Sequence, residues 1–145
     1  MRTIFLTALI LIFSSLSVQA AQVNLAEVKI DYGSSKIFSR EDMDEAVEII
    51  AEQFGKWEGC TLHNIRYYGD DVNNQENLDW LNNLSKARNL NKKFTQCIAF
   101  VSDFYVSKDA ADKTTFEPDR EYKDWQWWLA RTNANDEWHL LTFGY

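Results

Sequence analysis

Positive charge is scarce in this chain and nowhere clustered: 15 lysines and arginines stand against 22 aspartates and glutamates, a formal net charge of −7. Such a chain repels phosphate backbones, which argues against nucleic acid as a partner and, on the same ground, against an anionic membrane surface. Long apolar runs are missing beyond the first twenty residues, so no membrane span is expected in the remainder. Cysteine is limited to Cys60 and Cys97, and histidine to His63 and His139. Together these four are the whole supply for a Cys2His2 zinc centre, and their spacing does not favour one. Cys60 and His63 point to opposite faces of a continuous strand, and the other two stand far apart along the chain. No cofactor is expected. Repeats and low-complexity tracts are absent, and the single proline, Pro118, falls in a polar stretch.

What is present begins with an address. Arg2 precedes an apolar run from Ile4 to Phe13 that is broken only by Thr7, and Val18-Gln19-Ala20 follows. This is the pattern of a secretory signal peptide cleaved near Ala20, because the apolar run is shorter than the roughly 20 residues a membrane span needs. The expected location is therefore secreted, periplasmic or in the cell envelope. Residues 21–145 are enough for one domain with its own core. No cysteine stands at the cleavage point, so lipid attachment is not expected. In an exported chain an even cysteine count favours a Cys60–Cys97 disulfide, worth about 4 kcal/mol by loop-closure entropy. The alternative is two buried free thiols acting as small hydrophobes.

Val28 and Ile30 alternate with Lys29 and Asp31, a short strand signal. Ser39 with Asp42 three residues on reads as a capping box. The stripe Met43, Ala46, Val47, Ile50 and Phe54 then predicts a helix ending at Gly55. A strand is expected over Thr61 to Tyr68. A second, poorer helix is expected from Gln75 to about Arg88, faced by Leu78, Leu81 and Leu84 and flanked by Trp80. Phe94 to Tyr105 is the longest strand-like run, and Ser107 to Lys123 reads as a long loop. Two closing strands, Asp124 to Arg131 and Glu137 to Tyr145, flank the turn residues 132–136. Strands gathered after helices predict an α+β fold, with two helices packed on one face of a curved antiparallel sheet of about four strands. NTF2-like and cystatin-like cones have that form.

The closing hairpin carries large apolar groups on both faces. Trp125, Trp127, Leu129 and Arg131 share one side, with Gln126, Trp128 and Ala130 on the other. On the partner strand, His139, Leu141, Phe143 and Tyr145 are expected to share a side. Something must cover each face: the helices on one, and on the other a cavity, a second copy of the chain, or a ligand held by Trp125, Trp127 or Trp128.

Four strings carry a resemblance: Trp57-Glu58-Gly59-Cys60, Phe100 to Phe104, Glu121 to Arg131, and Trp138 to Leu141 with the closing Gly144-Tyr145. Over roughly residues 28–145 the chain resembles small exported bacterial proteins of a domain-of-unknown-function family of the NTF2-like α+β class. That resemblance implies the cone-like fold and no activity. Two readings of function follow. One is a non-enzymatic binding or accessory module for a small molecule, a glycan or a protein. The other is a small NTF2-like enzyme with proton-transfer or hydrolytic chemistry in its cavity. Its candidate groups are Asp103, a carboxylate in an apolar strand where burial would raise its pKa, and His139. The loop from Asp70 to Glu76 misses the calcium-loop pattern and reads as solvated, and the acidic loop from Asp109 to Asp124 also reads as solvated, with weak calcium binding as its alternative.

Overall fold

The computed structural model describes residues 22–145; the expected leader lies outside them. Helix α1 spans Arg40–Phe54 and starts where the capping box places it. The Ser39 hydroxyl accepts from the Asp42 amide at 3.1 Å, and the Asp42 carboxylate accepts from the Ser39 amide at 2.9 Å, so two otherwise orphaned donors are satisfied. Its apolar stripe, Met43, Ala46, Val47, Ile50 and Phe54, is buried. Helix α2, Gln75–Ala87, is capped by Asn74 and buries Leu78, Leu81 and Ser85.

Five strands form one sheet in the order of the chain: β1 Lys29–Asp31, β2 Cys60–Tyr67, β3 Gln96–Val106, β4 Arg120–Arg131 and β5 His139–Gly144. The short β1 makes a fifth strand where about four were expected. It also makes the sheet mixed, because it runs parallel to β2 while the other neighbours are antiparallel. The physical reason is the intervening α1, which carries the chain back so that β2 starts at the same end as β1. Strand β4 begins at Arg120, so the long loop after β3 is shorter than the sequence implied.

The helices do not share a face. Along β3, Ile98, Phe100, Phe104 and Val106 point toward α1 and join Trp127, Leu129 and Leu62 in one core. Cys97 and Ala99 point the other way and pack with Leu78 and Leu81 of α2, Trp128, Ala130 and Leu141. Each face of the closing hairpin thus receives its own helix. That satisfies the need for cover on both sides with a layer from the same chain.

Three bulges shape the sheet. His63 is an extra residue in β2, between Leu62 and Asn64. Lys123 and Asp124 lie between the paired Tyr122 and Trp125 of β4. Both irregularities flank Asp103 of β3. The third bulge leaves Leu141 unpaired, with Leu140 opposite Leu129 and Thr142 opposite Trp128. It overturns the expected alternation in β5. Leu141 stays on the α2 side, but Phe143 is returned to the α1 side, where its ring lies 5.4 Å from both Trp57 and Trp127.

The expected disulfide is also corrected. Cys60 pairs across from Val106 and Cys97 across from Ala130, so the stretch of β3 from Cys97 to Val106, about 30 Å, separates them. A disulfide needs Cα atoms within about 7 Å. Both thiols are free. The Cys97 thiol donates to the Val72 carbonyl at 3.2 Å. Burial pushes its pKa up to about 11, and the half-buried Cys60 is shifted in the same direction.

Candidate functional site

On the α1 side, the sheet is filled by rings. Trp127 is fully buried, and its indole N–H donates to the Ser102 hydroxyl at 3.0 Å. Trp57 stacks on it at 5.3 Å, and Phe104, Phe116, Tyr122 and Trp125 extend the cluster edge to face, apart from the parallel Phe104–Tyr122 pair. Trp125 is half-buried under Tyr145, and its indole N–H has no hydrogen-bond partner among the described residues. Trp127 is therefore a core side chain, while Trp125 lies at the margin of the same core.

The α2 side is different. From Cys97 to Phe100 every residue of β3 is buried, whichever face it occupies. From Val101 onward burial alternates: Ser102, Phe104 and Val106 are buried toward α1, while Val101, Asp103 and Tyr105 are partly exposed on the other side. Helix α2 covers only half of its face. The remaining half is a shelf open among the described residues.

One rung of this shelf reads Arg66, Val101, Gln126 and Gly144 across four strands. Gly144 has φ +144°, and a Cβ there would meet nothing within 4 Å, so the shelf is unobstructed at its β5 end. The next rung carries Ala99 and Trp128. Ala99 is small enough for Tyr68 and Trp128 to approach across it, with ring centroids 6.2 Å apart. Trp80 of α2 meets Trp128 edge-on at 5.2 Å. Trp128 itself is nearly buried, whereas Tyr68 is 50% and Trp80 41% exposed. The indole N–H of Trp128 is committed to the Gln126 side-chain oxygen at 2.9 Å.

On the other side of the Val101 rung stands a polar clamp. Asp103 accepts hydrogen bonds from Asn64 Nδ2 at 2.9 Å, Arg66 Nη1 at 3.0 Å and the Asp124 backbone N–H at 2.9 Å. Arg66 also meets the Asp124 carboxylate at 2.5 Å. The Asp103 carboxylate thus ties β2 and β4 to β3 at the two neighbouring bulges. Burial alone would disfavour its charge, but the bonds from Asn64, the Asp124 amide and Arg66 outweigh that and lower its pKa to about 2. The shift is opposite to the one an apolar strand implied, and Asp103 lies on the face away from α1. His139 packs on Phe94 at 5.7 Å, and its Nε2 lies 3.7 Å from an Asp136 carboxylate oxygen without a hydrogen bond. The two candidate catalytic groups are not brought together: Asp103 faces the open half of the sheet, and His139 lies beyond the covered half, at the start of β5.

Arg66, Tyr68, Trp80 and Gln126 did not stand out as site residues in the sequence. Trp80 offered one signal, since a tryptophan on the flank of a helix stripe is left outside the core. No group of three metal-binding side chains occurs among the described residues, and no described helix is long and apolar enough to cross a membrane. No family model matches the chain, and no curated protein or solved structure does.

Proposed function

We propose that the chain is an exported, non-enzymatic binding or accessory module that receives its ligand on the open half of the α2 face. The observation that supports it best is the change in burial along β3, where full cover gives way to alternation at Val101 beside two half-exposed rings. A large aromatic surface beside fixed polar groups is what a recognition site requires. The low pKa of Asp103 supports a clamp that shapes this surface in preference to a proton-transfer group. An NTF2-like fold belongs to the same proposal, with membership in the exported domain-of-unknown-function group. Three bulges of the kind that bend and twist sheets favour the curved form. Export with cleavage near Ala20 completes it.

The test is amide chemical-shift mapping by NMR with probe panels of small molecules, oligosaccharides and peptides. Shifts confined to Arg66, Tyr68, Val101, Gln126 and Gly144 are the expected result. Shifts grouped instead in the groove between α1 and β5, around Ile49, Gln53 and Leu140, would overturn the assignment of the shelf. Mass spectrometry of the protein recovered from the medium or periplasm of an expressing bacterium checks the cleavage point.

A further inference from the structure

We infer that the shelf takes an uncharged sugar ring of an oligosaccharide; this rests on the binding-module reading and names its ligand class. The charge balance gives the first reason. The Arg66 guanidinium is already faced by two carboxylates, Asp103 and Asp124, so the clamp has no positive charge left for an anion. The chain as a whole adds a net charge of −7, which disfavours phosphorylated and acidic ligands further.

The second reason is the kind of hydrogen-bonding group on offer. The shelf is a sheet face, where the backbone groups of β3 and β4 are engaged with neighbouring strands on both sides. On the floor of the shelf, over β3 and β4, a peptide has no free strand edge to pair with. What remains are planar side-chain groups, the Gln126 amide nitrogen and the Arg66 Nε–H, since both terminal nitrogens of Arg66 already donate twice to Asn64, Asp103 and Asp124. Both groups donate, so they suit the accepting oxygens of neighbouring sugar hydroxyls.

The third reason is size and polarity. Arg66 and Tyr68 lie about 7 Å apart along the chain direction, and β2 is about 10 Å from β4. A pyranose ring with its hydroxyls fills that space. Its C–H face can rest on Tyr68 or Trp80, which expose half or nearly half of their surface, while its edge reaches Gln126 and Arg66. Val101 and Gly144 leave the floor low enough for the ring to settle.

Cellohexaose, chitohexaose and mannohexaose serve as neutral probes, with oligogalacturonate as the acidic control and a proline decapeptide as the competing class. Calorimetry and amide-shift mapping are run on the protein and on its Tyr68→Ala, Trp80→Ala and Tyr145→Ala variants. At least one neutral hexaose is expected to bind and the acidic oligomer to be rejected. Loss of either ring should weaken binding about tenfold, the equivalent of one lost stacking contact. Tyr145→Ala, on the opposite face, should leave affinity unchanged, and circular dichroism checks that all three variants fold. Absence of neutral-sugar binding up to about 10 mM, or undiminished binding in a Tyr68→Ala, Trp80→Ala double variant, overturns the inference. If the decapeptide alone shifts the shelf amides, the sugar assignment falls and the module reading stands. If every probe that binds maps elsewhere, both fall.

Discussion

The two faces of one sheet are finished in opposite ways. Toward α1, large rings and aliphatic side chains fill the layer along the whole of β3, and even the exposed Phe143 and Tyr145 at the end of β5 add to it. Toward α2, the helix covers Cys97, Ala99, Trp128 and Ala130 and then stops short. The lesson is that the same residue type does different work according to which face it occupies. Trp127 and Trp128 are neighbours in sequence, yet one is sealed in the core and the other supports a pair of half-exposed rings.

Substitutions can break that contrast or sharpen it. Trp127→Ala should have the largest effect, about 3–5 kcal/mol of lost stability in urea denaturation, because the indole is fully buried and its N–H bond to Ser102 is lost as well. Trp125→Ala, at the half-buried margin, should cost clearly less; equal costs would deny the difference in burial. Gly59→Ala comes next, at about 2–3 kcal/mol. Gly59 has φ +74°, and an added Cβ would lie 2.5 Å from Ala110 Cβ.

Asp103 gives the acid signature of the α2 side. Its folded pKa of about 2 lies below the unfolded value of 3.8. The stabilisation is therefore complete above pH ~4 and disappears as pH falls through about 2, a loss on the order of 2 kcal/mol. Asp103→Asn should lower stability at pH 7 and flatten this part of the stability–pH curve, as read by urea midpoints at pH 7, 4 and 2.5.

Smallest of all, Tyr68→Ala and Trp80→Ala should each change stability by no more than about 1 kcal/mol, because neither ring is sealed. A loss as large as that of Trp127→Ala would erase the distinction between core and shelf. A thiol titration of the unfolded, unreduced protein should find both cysteines free, Cys60 and Cys97. In the folded state Cys97 should react far more slowly than Cys60, since it is fully buried.

Much of this was legible in the chain itself. The Ser39–Asp42 capping box and the stripe from Met43 to Phe54 located α1, because both signals are local. Apolar groups on both faces of the last hairpin showed that each face needs cover. That α2 supplies the second layer was not legible, since Leu78 and Leu81 form the same stripe whichever side of the sheet they meet. The disulfide failed for a related reason: pairing depends on register, and register places the cysteines at opposite ends of β3. The site was harder still. Arg66 meets Asp103 beside the bulge at His63 in β2, and Asp124 joins them at the bulge in β4, and sequence periodicity carries no mark of an inserted residue.

The outer side of β5 has a consequence of its own. It is the last strand of the sheet, so its unpaired backbone groups form a strip that another chain's strand could adhere to. Arg88, just past the end of α2, donates its guanidinium to the Leu141 carbonyl, at the bulge in that strip. That bond occupies one acceptor of the edge and sets a cation beside it, the kind of charge that keeps foreign strands from pairing with a sheet edge.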